Sequence, residues 1–443
     1  MKIPLSAHFT YAKLIRFTIP SVIMMIFTSI YGVVDGLFVS NFVGKTPFAA
    51  INLIMPFLML FGTIGFMIGT GGSALVAKTL GQGEAQKANR LFSMLVSISL
   101  VFGVVLSVVG ILFLRPIAQF LGAEGAMLED CVTYGRIILI SLTAFILQNE
   151  FQSFLITAEK PTLGLAITVA AGVTNIVLDA LFVAVLDWGL VGAAVATALS
   201  QTVGGVVPLL YFLFPNKSLL HLTGFSFDGW ALVKTCTNGA SEMLTNLSMS
   251  LVNMLYNFQL MEYAGEDGIA AYGVIMYVAF IFVAVFIGYS IGAAPIVGYH
   301  YGAGNRDELK NLFRKSMVIL TFCSVAMTAL AEVLALPLAR IFVGYDAALM
   351  EMTTRGFMLY SLCFLVLGFN IYASSFFTAL NDGLVSGVLS FLRTLLLQIA
   401  TILLMPMIWG LDGIWLAIVA SELMALGVTV FCFWKFKGKY HYM

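Results

Sequence analysis

The sequence predicts an all-α polytopic membrane protein: twelve transmembrane helices arranged as two six-helix lobes about a pseudo-twofold axis along the membrane normal. Three observations lead there. Of 443 residues, 60% are hydrophobic and 10% are charged, with a mean hydropathy of +1.01, whereas soluble domains are about a quarter charged. Apolar runs long enough for a bilayer core, about 20 residues each, recur twelve times along the chain. Short matching segments also repeat at one spacing from the first half of the chain to the second.

The runs span approximately 14–39, 49–77, 91–114, 132–155, 162–186, 190–214, 233–260, 269–299, 312–336, 353–377, 384–408 and 413–434. They are long and uniform, without the alternation of a membrane barrel, so backbone polar groups in lipid must be satisfied within helices. The first run carries Asp35 and is followed by no small-residue cleavage pattern, so it is expected to stay in the protein as helix 1.

Net charge is zero, with 22 Lys+Arg against 22 Asp+Glu, so no basic face offers itself to nucleic acid. Position is more informative than balance. Sixteen of the basic residues, from Lys2, Lys13 and Arg16 to Lys435, Lys437 and Lys439, fall on the loops that share a side with the N-terminus. Five (Lys45, Arg115, Arg136, Arg340 and Arg355) fall on the other side, which is rich in acids. Positive loops stay in the cytoplasm, which places both termini there; the expected location is the plasma membrane of a prokaryote. The four histidines (His8, His221, His300 and His441) then lie in cytoplasmic segments. The five cysteines are scattered through apolar stretches without metal or disulfide spacing and read as small core residues.

Val43-Gly44 matches Ala264-Gly265, and Gly81-Gln82-Gly83 matches Gly302-Ala303-Gly304. Thr157-Ala158 matches Thr378-Ala379, and Gly189-Leu190-Val191-Gly192 matches Gly410-Leu411-Asp412-Gly413; each pair is 221 residues apart. An even number of spans separates the copies, so the halves lie parallel. The resulting domains are 1–214, a cytoplasmic linker at 215–230, and 231–443. Two parallel halves that rock around a cavity are an architecture of alternating-access transport. Gly65, Gly69 and Ser73, and Gly288 and Gly292, sit at the four-residue spacing of close helix contacts. No nucleotide-binding loop appears, so an ion gradient is the expected energy source.

Six acids fall within the apolar runs: Asp35, Glu150, Asp179, Glu242, Glu332 and Glu422. Intramembrane acids are costly and usually face a cavity or an ion path. Asp35 and Asp179 can share a depth near the outer ends of helices 1 and 5. Asn175 lies one turn from Asp179 on the same face, and Pro20 interrupts helix 1 as a hinge. At a spacing of 221, the counterparts of Asp35, Glu150 and Asp179 are Tyr256, Ile371 and Ala400, so these acids belong to the first half alone. Glu150 and Glu422, with Arg393, Tyr31 and Gln152, are candidates for a substrate cavity, although each acid has an equal reading as a structural hydrogen-bond partner. Arg393 either pairs with Glu422 or meets an anionic head group. Glu332 reads as interfacial, and Glu242 as snorkelling toward the inner interface.

The pattern of Pro20, then Val33-Val34-Asp35-Gly36-Leu37-Phe38-Val39, with Asn175/Asp179 and the twelve-helix repeat, resembles the multidrug and toxic compound extrusion (MATE) family over nearly the whole chain. The resemblance implies a cation or proton site at Asp35, Asn175 and Asp179, linked to bending at Pro20. Gln152-Ser153-Phe154-Leu155 through Pro161, and Ser390-Phe391-Leu392-Arg393, look like segments of the staphylococcal-type multidrug branch. Two departures stand out: Ile156 replaces a usual arginine and Glu159 a glycine. Glu242 lies too early on helix 7 to match the acids of the sodium-coupled branch.

The expected function is secondary active antiport, driven by H+ or Na+ and exporting amphipathic, often cationic, organic compounds. Asp35, Asn175 and Asp179 would serve as metal ligands only if Na+ is the ion. No other cofactor is expected, and the partners are the small-molecule substrate and the bilayer, with a monomer sufficient to form the cavity. A flippase for lipid-linked oligosaccharide or another anionic lipid is the first alternative and would call on Arg393. An intramembrane lipid enzyme is the remote one, lacking any nucleophile-and-base pair.

Overall fold

The computed structural model describes residues 3–43 and 45–443. Lys2, Gly44 and the side chains of Leu37 and Lys45, which entered the arguments above, lie outside the described residues. The first half comprises α1 (Tyr11–Phe42), α2 (Lys45–Gly81), α3 (Ala85–Phe120), α4 (Gly125–Ile140), α5 (Leu142–Thr157), α6 (Pro161–Asp179) and α7 (Gly189–Leu213). The second comprises α8 (Gly229–Gly302), α9 (Arg306–Val343), α10 (Ala347–Ser361), α11 (Phe364–Ala379), α12 (Gly383–Phe391) and α13 (Leu397–Tyr440). Short π-helical stretches, Ala180–Val185 and Leu392–Leu396, continue α6 and join α12 to α13.

Twelve spans emerge among the described residues. Eight helical stretches are long and apolar enough to cross a membrane, and two bent pairs, α4 with α5 and α10 with α11, add two more. Two of the eight each divide at a glycine: α8 at Gly265 (φ 61°, ψ −148°) and α13 at Gly410 (φ 57°, ψ −134°). A side chain would clash with the backbone in that region, so glycine allows the chain to turn back there. An even number of spans puts both termini on one side, called the inner side below.

The repeat departs from a uniform spacing. Arg306 opens α9 221 residues after Ala85 opens α3, but α10, α11 and α12 begin 222 residues after α4, α5 and α6. The spacing returns to 221 at Gly189 and Gly410, both at positive φ. Glu150 is therefore matched by Tyr372, not Ile371, and Thr157, which ends α5, by Ala379, which ends α11. Residue identities at short matches could not reveal a one-residue slip that helix starts expose.

Hydropathy also missed two bends. α4 meets α5 at 53° and α10 meets α11 at 50°. Each joint carries a serine whose hydroxyl donates to a neighbouring helix: Ser141 to Gln201 Oε1 (2.7 Å) and Ser361 to Glu332 Oε1 (2.8 Å). Glu332 thus has a partner within the fold.

The lobes meet along their inner halves. A side-chain carbon on Gly71 would strike the Thr235 carbonyl, one on Gly81 the Tyr299 carbonyl, and one on Gly302 the Lys78 carbonyl. Gly288 and Gly292 similarly admit Val22 and Thr18 of α1. Such close backbone approach is how helices associate where lipid supplies no hydrophobic drive. The segment before α1 crosses the same seam. The Leu5 N–H donates to Glu159 Oε1 (2.7 Å), while the Phe9 N–H donates to Glu308 Oε1 (2.8 Å) and His8 bonds Glu308 Oε2 (2.6 Å). This accounts for Glu159 and Ile156: the former takes a left-handed φ of 60° to aim its carboxylate at Leu5, and the latter is buried in the same core as Leu5 and Phe9.

Candidate functional site

α6 presents Gly172, Asn175 and Asp179 on one buried face, three and four residues apart. The absence of a side chain at Gly172 lets α1 press in, since a Cβ there would lie 2.9 Å from the Tyr31 ring. That approach brings Asp35 within interaction range of both Asn175 and Asp179. Asn175 is 3% exposed and Asp179 is fully buried. The Asp179 carboxylate oxygens, Oδ1 of Asp35 and Oδ1 of Asn175 have no hydrogen-bond partner among the described residues. The π stretch starts at the next residue, Ala180, and such irregularities inside helices recur at functional sites.

A buried carboxylate without a donor or counter-charge is costly, so these orphaned oxygens call for a guest. Their chemistry is oxygen-only, which suits a proton or a hard monovalent cation and not a thiolate- or imidazole-seeking metal. No group of three or more His, Cys, Asp or Glu able to hold a metal ion occurs among the described residues. Tyr31 lies in electrostatic reach of Asp35, and Tyr134 of α4, 2% exposed, in reach of both aspartates. Tyr31 thus lies beside this cluster, whereas the sequence offered it as a candidate for the substrate cavity. Tyr134 was missed altogether, because a tyrosine in an apolar run carries no signal of its own. α1 runs through Pro20 without a non-helical residue.

Glu150 is a second correction. It is fully enclosed, with the Ser99 hydroxyl of α3 within reach of its carboxyl group, so it lines no cavity that solvent can enter. Gly69 is the cause: α2 packs so closely there that a Cβ would lie 2.9 Å from the Glu150 Cα. Gln152 borders a void of about 10 Å³ between α5, α6 and α7, too small for any substrate.

A cavity of about 170 Å³ lies in the second lobe. Arg393 and Glu422 both line it and pair across it, with Arg393 Nε donating to Glu422 Oε1 (2.9 Å) and Oε2 (3.2 Å). Asn370 Nδ2 donates to Glu422 Oε2 (2.7 Å), and Thr429 donates to Asn370 Oδ1 (2.8 Å). Glu242 lines the same cavity and also a narrow gap between the lobes bordered by Thr70, Ser73 and Ser153. It faces the interior instead of snorkelling outward, because α8 turns that face toward α11 and the seam. Its signal was present, an acid inside an apolar run, but the face it occupies depends on helix rotation.

Two segments of the chain, residues 20–181 and 242–404, each match the MatE family model. The chain belongs to the MatE family. It is 24% identical to the multidrug export protein MepA of Staphylococcus saprophyticus over 427 residues, covering 95% of this chain and 93% of that one. It is 22% identical to the MepA of Staphylococcus aureus over 437 residues, with the same shares covered. Among solved structures, a MATE in complex with MaL6 superposes with a TM-score of 0.91 at 23% identity, covering 96% of each chain. An outward-facing MATE family transporter of the MOP superfamily superposes at 0.90 and 23% identity, covering 96% of this chain and 95% of that one. The MatE fold is thus shared from end to end, and the family carries out transport, not catalysis.

Proposed function

We propose that this MatE protein is a cation-coupled antiporter that exports amphipathic organic compounds by alternating access, with Asp35, Asn175 and Asp179 binding the coupling ion. The observation that carries the reading is the set of orphaned, buried oxygens on α1 and α6, which a proton or Na+ would satisfy. Multidrug export by the MepA relatives supports the choice of cargo. By the positive-inside asymmetry the inner side is the cytoplasm, so the lobes close on the cytoplasmic side. Binding the ion in the first lobe and cargo against Glu242 beside the seam lets each bias the same rocking motion. An anionic-lipid flippase is disfavoured, since the cavity that holds Arg393 also carries two carboxylates, Glu242 and Glu422.

The test is uptake of a fluorescent organic cation into proteoliposomes under an imposed pH gradient, and separately under a Na+ gradient. Gradient-driven uptake that disappears with Asp35→Asn is the expected result, and the gradient that supports it names the ion. Undiminished uptake by Asp35→Asn would remove the first lobe from coupling.

A further inference from the structure

Another cavity, about 200 Å³, opens at the inner end of the seam. α2 contributes Leu75 and Lys78 to its wall, α3 contributes Lys87 and Leu91, and the start of α8 contributes Asp228 and Trp230, so both lobes frame it. It shares no lining residue with the second-lobe cavity, and Asp35, Asn175 and Asp179 take no part in it.

The pocket gathers cations. Lys78, whose ammonium lies 5.3 Å from the centroid of the Tyr301 ring, makes no hydrogen bond or ion pair among the described residues. A ring beside an ammonium leaves its N–H groups free to donate. Lys78 also stands within electrostatic reach of Lys87 and of Lys234 on α8. The nearby acids are engaged: Asp228 caps α8 by accepting from the Ala231 N–H (3.0 Å), and Glu84 meets Lys87 at 3.0 Å. The Glu84–Lys87 pair is exposed at both ends and so contributes little, which leaves Lys87 able to exchange it for a better anion. Three like charges drawn together across a seam repel, and an anion among them turns that cost into attraction.

The walls are layered. On α2, Leu75 lies about a turn deeper in the membrane than Lys78, and on α3 Leu91 lies about a turn deeper than Lys87. Trp230, 69% exposed, stands at the mouth where α8 begins its span, the headgroup depth that tryptophan favours. A soluble anion would use the lysines and leave the leucine walls uncovered. An amphiphile with a phosphate at its head uses both.

We propose that this pocket is a site for a resident lipid: the phosphate of an anionic phospholipid in the inner leaflet is held by Lys78 and Lys87, and the upper part of its acyl chains lies along Leu75 and Leu91 beside the Trp230 ring. The lipid is a bound partner at the seam and not cargo, because the pocket is separate from the cavity lined by Glu242, Arg393 and Glu422. The site does not depend on which ion or compound is transported.

The experiment places the full-length protein in phosphatidylcholine vesicles that contain small fractions of brominated phosphatidylglycerol or of brominated phosphatidylcholine, whose bromines quench tryptophan on contact. Subtracting the signal of Trp230→Phe isolates Trp230 from the other tryptophans. Half-quenching of Trp230 is expected at a fraction of the brominated phosphatidylglycerol at least about fivefold below that of the brominated phosphatidylcholine, the scale of one lysine beside an anionic head group. Lys78→Gln together with Lys87→Gln should remove the preference, and Lys78→Arg should retain it. Lys435→Gln together with Lys437→Gln, on α13 and outside the pocket, should leave it unchanged. Equal quenching by the two lipids in the unaltered protein overturns the proposal without recourse to any variant. A preference that survives the Lys78 and Lys87 replacements, or that falls with those at Lys435 and Lys437, overturns it too, marking diffuse attraction to the basic inner surface. Loss of the preference in millimolar inorganic phosphate at constant ionic strength assigns the pocket to a soluble anion and removes the lipid.

Discussion

The two lobes follow the same six-helix path yet treat membrane-buried charge in opposite ways. In the first, Asp35, Asp179 and Glu150 have no basic counter-ion among the described residues, and each has a carboxyl oxygen left unpaired. In the second, Glu422 is closed by Arg393 and Asn370, and the counterparts of Asp35 and Glu150 are Tyr256 and Tyr372, neutral phenols. The first lobe is built to acquire a positive charge, and the second arrives with its own. The repeat thus preserves what the backbone needs, the glycine turns and the bends, while the buried charges have parted, unanswered in the first lobe and paired in the second.

The largest break in that contrast should come from Asp35→Asn, which removes a charge the ion must balance. Gradient-driven uptake in proteoliposomes is expected to fall to the leak rate while the protein still folds. Next comes Glu422→Gln, which strands a buried guanidinium; breaking such a pair costs about 3–5 kcal/mol, and a clear drop in melting temperature in detergent should show it. Glu150→Gln sharpens the comparison, because no counter-ion is lost there. Its cost should stay under about 1 kcal/mol, the scale of one ordinary hydrogen bond, and a drop as large as that of Glu422→Gln would show that Glu150 is paired after all. Tyr256→Phe removes an orphaned hydroxyl and should leave the melting temperature level or slightly raised.

The smallest effect lies outside the membrane, where the second lobe ties its own chain end. Asp382 accepts from Lys439 Nζ (3.1 Å), from the Val385 N–H (3.3 Å) and from the Tyr440 hydroxyl. Burial pushes its carboxyl up, but the Tyr440, Lys439 and Val385 bonds together hold it below its usual value. A depressed folded pKa means that this anchor contributes above the ordinary aspartate range and is lost as pH falls through the folded value. Proteolysis of residues near Tyr440 should therefore rise only on acidification below about pH 4, and Asp382→Asn should show the rise at neutral pH.

Several features of the fold and site were legible in the residues. Span number, the parallel halves and the shared face of Asn175 and Asp179 follow from local rules: lipid solvates each stretch of chain according to its own composition, and residues four apart share a helix face; that Asp35 joins them was implied by the family resemblance. The α4–α5 and α10–α11 bends were not legible, because hydropathy averages over a bend and the hydroxyls of Ser141 and Ser361 bond to other helices. Nor was the fate of single acids. Glu150 was sealed by an approach at Gly69, and Glu242 was turned inward by the rotation of α8. The sequence by itself determined how many helices cross the membrane and which charges they carry, since burial in lipid is set residue by residue. Only the tertiary structure decided which of those charges are answered, because a partner for a buried charge comes from a different helix, and packing alone chooses which one arrives.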